Sequence, residues 1–239
     1  MSLRIILLAA ALPVAALAAE LPAGTALPVG AQGSSSVDGT VRSFTLAPDG
    51  VVNGVLLDDG TEVHVSTRLA AKLEAAVQPG DSVHVQGWRT RTPGVLAAAS
   101  LTDARTGTAV AEPGAPLAPL LAPRRKDTQG RPPPGAREAT LSGRVLRPLH
   151  NPDGETDGAL LGDGTELRLP AGAAAGIANL LQPGVKVAAQ GYALQTRYGQ
   201  VMAVQAIGGT PETLTPVTRG AAAPLPPAGT PAPGVVPQP

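Results

Sequence analysis

Apolar and polar residues alternate with a period of two in short, regularly spaced segments of this chain, a pattern typical of half-buried β-strands. The clearest of these segments are 41–46, 62–65 and 83–88. The period changes between the second and third segments, where Leu69, Leu73 and Val77 have the spacing of one face of a short helix. Pro79 and the glycine after it end that helix. The pattern therefore predicts three strands, a helix and two further strands within residues 38–105.

The same pattern occurs twice. Residues 48–88 align without a gap on residues 152–192, at an offset of 104, and close to half of the aligned positions are identical. In both copies an aspartate and a glycine, at Asp59 and Asp163, stand between two apolar segments. Such a pair is a strong short-range signal for a tight β-hairpin. A repeat of this length indicates one small domain used twice.

Five strands with a helix between the third and fourth have the order of the OB-fold barrel. Residues 39–41, 54–63 and 79–87 resemble small exported bacterial OB-fold domains, and the pattern recurs within residues 139–207. The resemblance implies an all-β protein of two tandem five-stranded Greek-key barrels, each with a short helix between strands 3 and 4. It also implies a binding module, because such barrels usually hold oligonucleotides, oligosaccharides or another protein. The usual ligand surface is the face of strands two and three with the loops joining strands one–two and four–five.

Composition shifts divide the rest of the chain. Arg4 precedes an apolar stretch that ends in small residues near Ala18, which is the pattern of a secretory signal peptide. Proline and glycine concentrate before, between and after the two repeats. We therefore expect a signal peptide (1–19), a flexible leader (20–37), barrel one (38–105), a Pro/Arg-rich linker (106–137), barrel two (138–208) and a disordered Pro-rich tail (209–239). The protein is expected to be exported to the periplasm or secreted, and not to span a membrane.

Composition also limits the chemistry. The chain has no cysteine, which excludes disulfides, thiolate catalysis, cysteine-based metal sites and a lipid anchor at the cleavage site. His64 and His84 are interpreted as solvent-facing strand histidines, so we expect no metal and no cofactor. The carboxylates of Glu62 and Glu166 follow tight turns and are not assigned acid–base work. The sequence contains no hydrolase or Walker motif, and we expect a protein that is not an enzyme.

The hairpin between the fourth and fifth strands is the best candidate ligand surface in both units. Aromatic and arginine side chains gather there, and they could stack on bases or sugars and bind phosphates. Trp88 has the strand parity of the polar residues His84 and Gln86, so we place it outside the barrel. Alternatively, Trp88 and Tyr192 pack against each other, the helix or the linker. The candidate ligand-binding residues are Arg42, Trp88, Arg89, Arg91, Tyr192, Arg197 and Tyr198.

A second candidate surface is the basic run in the linker. Its positive residues are Arg124, Arg125, Lys126 and Arg131. Such a run could attract anionic headgroups, polysaccharide or nucleic-acid phosphates, or could be a solvated linker.

Two function hypotheses remain open. In the first, the tandem barrels bind an anionic oligomer, nucleic acid included; a continuous positive groove through Arg42, Arg89 and Arg91 would favour it. In the second, the protein is a structural or protein-interaction adaptor of the bacterial cell envelope. A net charge of zero and an aromatic content of only 2% favour the second, because nucleic-acid binders usually combine a basic face with stacking rings.

Overall fold

The computed structural model describes residues 32–111 and 132–219. The predicted signal peptide, most of the leader, the middle of the linker and the end of the tail lie outside the described residues. Within the described ranges no helix is long and apolar enough to cross a membrane.

Barrel one is a closed sheet whose strands follow the OB-fold order. Its strands are β1 (Gln32–Leu46), β2 (Val52–Leu57), β3 (Glu62–His64), β4 (Ser82–Arg89), β5 (Val95–Asp103) and β6 (Ala109–Ala111). The order β3-β2-β1-β4-β5-β6 closes through an additional parallel pairing of β3 with β5. A short 3₁₀ turn, Thr67–Leu69, leads into the helix α1 (Ala70–Ala76) between β3 and β4.

Local chemistry explains these elements. In the β2–β3 turn the Asp59 carboxylate accepts hydrogen bonds from the backbone amide of Thr61, at 2.8 Å, and from its hydroxyl, at 3.0 Å. Gly60 has a φ of 88°, a left-handed conformation that side chains other than glycine rarely adopt. The stripe Leu69, Leu73 and Val77 is buried in the barrel core, as its helical spacing predicts.

Barrel two repeats the architecture. Its strands are β7 (Arg137–His150), β8 (Thr156–Leu161), β9 (Glu166–Arg168), β10 (Lys186–Thr196), β11 (Gly199–Gly208) and β12 (Thr215–Pro216). β9 pairs in parallel with β11, and β10 pairs with both β7 and β11, which closes the sheet. In place of α1 it has a 3₁₀ segment, Ala173–Leu181, interrupted by non-helical backbone at Ile177. Gly172 and Gly176 weaken helix formation here, so only barrel one has the predicted α-helix.

The all-β, tandem OB-fold prediction is confirmed, and three strands extend the expected boundaries. β1 begins within the predicted leader, where Val37 pairs with Val85 of β4. β6 lies within the predicted linker and β12 within the predicted tail, each paired to the last long strand of its barrel. These segments are rich in small polar residues, alanine or proline, so their strand character comes from the neighbouring strand.

Candidate functional site

The two barrels pack against each other, with the third strand of each in contact with the first strand of the other. All three residues of β3 and all three of β9 are buried, although period two places Glu62, His64, Glu166 and Arg168 on the outer faces of their barrels. The opposite barrel covers those outer faces. The prediction that His64 faces solvent is therefore wrong; His84 lies on the surface and contacts Asp38.

Two equivalent glutamates connect the barrels. The backbone amide of Leu46 donates to both carboxylate oxygens of Glu166, at 3.2 and 3.1 Å. At the equivalent place, 104 residues further along, the amide of His150 donates to Oε2 of Glu62 at 2.9 Å. The interface therefore has an approximate two-fold symmetry that follows from the sequence repeat.

The loops obey the same symmetry. The β7–β8 turn places Gly154 against Thr90, and the Thr92 hydroxyl donates to the Gly154 carbonyl. The β1–β2 turn places Gly50 against Leu194 and Thr196 of the β10–β11 hairpin. In each barrel, the loop joining strands one and two thus contacts the hairpin of strands four and five in the other barrel. The elements that usually bind ligands on an OB-fold are engaged in this interface.

The charges break the symmetry. Glu62 accepts from Nη2 of Arg147 at 2.8 Å and contacts Nδ1 of His150 at 3.0 Å, while Nη1 of Arg147 donates to the carbonyl of Gly60 at 2.6 Å. Burial alone would raise the pKa of Glu62. The hydrogen bonds from His150 and the charge of Arg147 outweigh burial and lower that pKa.

Glu166 pairs with an arginine of its own barrel, whereas Glu62 pairs with an arginine of the opposite barrel. Nη2 of Arg168 donates to Oε2 of Glu166 at 2.8 Å, and Nη1 of the same guanidinium donates to Asp157 at 2.9 Å. Desolvation raises the pKa of Glu166, and Arg168 with the amide of Leu46 offsets this only in part. The pKa of Arg168 is raised because Asp157 and Glu166 outweigh its own desolvation.

His64 occupies the position that Arg168 has in barrel two. Its ring is almost wholly buried, and neither ring nitrogen has a hydrogen-bond partner among the described residues. Burial lowers the pKa of His64 to about 4, so the imidazole is neutral at physiological pH. We call these seven side chains the interface charge cluster: Glu62, His64, Arg147, His150, Asp157, Glu166 and Arg168.

Aromatic side chains extend the contact. The ring of Tyr198, on the β10–β11 turn, lies 4.5 Å from the ring of Phe44 in β1, at an interplanar angle of 54°. The Arg197 guanidinium lies 4.7 Å from the centre of the Tyr198 ring and forms an ion pair with Glu74 of α1. Desolvation raises the pKa of Tyr198. These predicted ligand-binding residues of barrel two therefore contact barrel one.

The other candidates are dispersed. Trp88 is only 9% exposed, so its ring is largely closed to solvent, and it is not part of the two clusters of core residues. Arg89 is exposed and donates to the Ser35 hydroxyl at 3.0 Å, and Arg91 is exposed at the β4–β5 turn. Tyr192 is half-buried. The linker candidates Arg124, Arg125, Lys126 and Arg131 lie outside the described residues.

A cleft of about 570 Å³ opens beside the cluster and is lined by both barrels. Its wall includes Arg42, Phe44 and Tyr198 on one side and Leu146 and Glu166 on another. Leu146 is the exposed large apolar residue of the described chain, at 48% exposure. A smaller concavity of about 340 Å³, on barrel two alone, contains Arg144 and Lys186. Both concavities have charged walls, but only the cleft combines them with aromatic and aliphatic surface.

The histidines and carboxylates do not form a metal site. Among residues 32–111 and 132–219, no group of three or more histidine or carboxylate side chains is placed to hold a metal ion. The cluster pairs carboxylates with guanidinium groups and a neutral imidazole, which is a structural arrangement of buried charge.

Comparisons with known proteins add little to this picture. No family model matches the chain, and no curated protein matches it. Among solved structures, it is similar to the single-stranded DNA binding protein from Thermus aquaticus, at 15% identity and a TM-score of 0.24, over 82% of this chain and 97% of that one. A deletion mutant of that protein matches at 14% identity and a TM-score of 0.22, over 84% and 99% of the two chains.

Sequence reasoning missed the interface charge cluster, although one signal was present. Glu62 and Glu166 are identical at equivalent positions, whereas most other polar positions differ between the copies. An acidic residue kept on the same outer strand position of two diverged barrels indicates a shared contact.

Proposed function

We propose that this is an exported, non-enzymatic binding protein whose tandem barrels act as one unit and recognise a peptide segment of a partner protein in the cleft between them. The observation that carries the proposal is the mutual covering of the two usual OB-fold ligand faces. Because β3 and β9 are buried against the opposite barrel, the usual ligand faces are largely covered, and the parts of strands two and three that stay open line the cleft. The cleft offers apolar, aromatic and carboxylate surface instead.

A binding screen tests this proposal. The protein from residue 20 onward would be titrated with peptide pools, single-stranded oligonucleotides and oligosaccharides. The variant Leu146→Asp changes an exposed residue of the cleft and should weaken peptide binding at least about tenfold, without loss of fold. Its matched control, Arg91→Asp, changes an exposed residue of the β4–β5 hairpin and should leave peptide binding unchanged. Peptide binding that is equal in both variants would contradict the proposal.

A second candidate function is the binding of an anionic oligomer such as single-stranded nucleic acid on the outer surface. The exposed guanidinium groups of Arg89 and Arg91 and the concavity with Arg144 and Lys186 favour it. Few aromatic rings are available there for stacking on bases, since Trp88 is buried and Tyr198 packs on Phe44. The anisotropy of a labelled oligonucleotide at low salt would decide. Salt-sensitive binding that Arg91→Asp weakens and Leu146→Asp does not would support this candidate.

A further inference from the structure

The approximate two-fold symmetry relates the cleft to a site that a side chain of the protein already fills. On one side of the interface, the Arg147 guanidinium bonds to the Gly60 carbonyl and the Glu62 carboxylate. The residue equivalent to Arg147, at an offset of 104, is Ser43 in the wall of the cleft. Serine is too short to reach the equivalent carbonyl and carboxylate, so the second copy of the site stays open.

The receiving groups are present in the open copy. Gly164 and Glu166, the equivalents of Gly60 and Glu62, both line the cleft. A Cβ on Gly60 would meet Nη1 of Arg147 at 3.0 Å, whereas a Cβ on Gly164 would meet nothing within 4 Å. The space that a guanidinium fills on one side is therefore empty on the other.

The carboxylate in the open copy has capacity for a further donor. Among the described residues, Oε1 of Glu166 accepts only the amide of Leu46, at 3.2 Å. A carboxylate oxygen can accept two hydrogen bonds. Within the interface charge cluster, the three carboxylates of Glu62, Asp157 and Glu166 face the two guanidinium groups of Arg147 and Arg168. His150 also contacts Glu62, so Glu166 is the glutamate of the pair that has no counterpart of Arg147.

The rest of the cleft fits the same occupant. The half-buried ring of Tyr198 lies in the wall of the cleft, and an aromatic face attracts a planar cation by cation–π interaction. Asp163 adds a second carboxylate at the rim, and Arg42 is the one cation of the wall. A guanidinium has the planar, two-pronged shape that bonds to a carboxylate and a carbonyl together.

We infer that the cleft recognises an arginine side chain of the bound peptide, with its guanidinium placed on Gly164 and Glu166 as Arg147 is placed on Gly60 and Glu62. This inference rests on the proposed function and names the group recognised. The contacts of the Arg147 guanidinium with Gly60 and Glu62 therefore serve as the template for those of the peptide's arginine with Gly164 and Glu166.

The test uses N-acetyl-arginine amide, its neutral isostere N-acetyl-citrulline amide, and calorimetric titration of the full chain. The arginine derivative should bind saturably, and the citrulline derivative at least about tenfold more weakly, because it lacks the charge. Ser43→Arg supplies the missing guanidinium from the protein itself, so it should abolish binding of the arginine derivative and raise Tm. Ser43→Ala leaves the cleft open and should bind as the unchanged protein does.

The outcomes separate the two proposals. If N-acetyl-arginine amide does not bind, if the citrulline derivative binds equally, or if Ser43→Arg binds as well as Ser43→Ala, the inference is overturned. If arginine-free peptides bind in the cleft and Ser43→Arg does not affect them, the inference fails and the proposed function stands. If N-acetyl-arginine amide binds but no peptide does, the proposed function fails and the guanidinium site stands.

Discussion

Leu46 of barrel one donates its backbone amide to the carboxylate of Glu166 in barrel two, across 120 residues of sequence. The reciprocal bond, from His150 to Glu62, makes the interface a symmetric exchange between the two copies of one domain. A buried carboxylate is stable only where donors replace its water. Each barrel therefore depends on the other to satisfy the acidic residue on its third strand.

This dependence predicts a large cost for removing one buried carboxylate. Glu62→Ala leaves the Arg147 guanidinium and the amide of His150 without their acceptor, and should lower the free energy of unfolding by about 3 kcal/mol. Urea unfolding monitored by circular dichroism measures this change.

The matched control is Glu74→Ala, which removes another carboxylate that pairs with an arginine across the interface. Its partner, Arg197, is 68% exposed at the side chain, so solvent screens the pair and the stability should change little. Equal losses for Glu62→Ala and Glu74→Ala would show that burial does not set the strength of these pairs.

Two turn glycines of similar backbone conformation should respond differently to substitution by alanine, because their surroundings differ. Gly154 and Gly80 both have positive φ, at 83° and 96°. A Cβ on Gly154 would lie 2.6 Å from the Thr90 hydroxyl and 3.1 Å from the amide nitrogen of Thr92, whereas a Cβ on Gly80 would meet nothing within 4 Å. Gly80→Ala should therefore lower stability by about 1–2 kcal/mol from backbone strain alone.

Gly154→Ala should lower the stability more than Gly80→Ala does, because the β7–β8 turn must also move away from barrel one. Thermal unfolding of both variants, compared at the Tm of the unchanged protein, measures the difference. The tight packing of this turn on the β4–β5 hairpin would be contradicted if the two variants lost the same stability.

The strands and turns of each barrel could be predicted from sequence because their signals are local. The aspartate before Gly60 fixes a hairpin, and the spacing of Leu69 and Leu73 fixes a helical face, within a few residues each. The burial of His64 could not be predicted in this way, since its alternation with Val63 and Val65 is that of a surface residue. The other barrel covers it, with Asp157, Arg168 and His150 near its ring, and no local pattern in the sequence indicates that contact.

The aromatic contact between the barrels predicts a measurable coupling. Phe44 and Tyr198 have a centroid distance of 4.5 Å in a tilted arrangement, which is favourable by about 1 kcal/mol beyond the area buried. A double-mutant cycle with Phe44→Leu and Tyr198→Leu should give a coupling free energy of that size. Additive effects of the two substitutions would mean that the rings contribute only apolar area.

The buried imidazole predicts a pH dependence of stability. The pKa of His64 is about 4 in the folded protein and near 6.5 in the unfolded chain, because burial disfavours the imidazolium. Between these values the unfolded chain binds a proton that the folded protein does not, so stability falls as the pH falls through this window. From pH 7 to pH 5 the loss should be about 2 kcal/mol.

His64→Leu removes the titrating group and keeps the site apolar, so its free energy of unfolding should change less over the same interval. His84→Leu, at a strand histidine on the surface, is the matched control. The raised pKa of Glu166 acts in the opposite direction, so each variant is compared with the unchanged protein at the same pH. If His64→Leu and His84→Leu retained the same pH slope, His64 could not be the buried neutral group that the interface charge cluster requires.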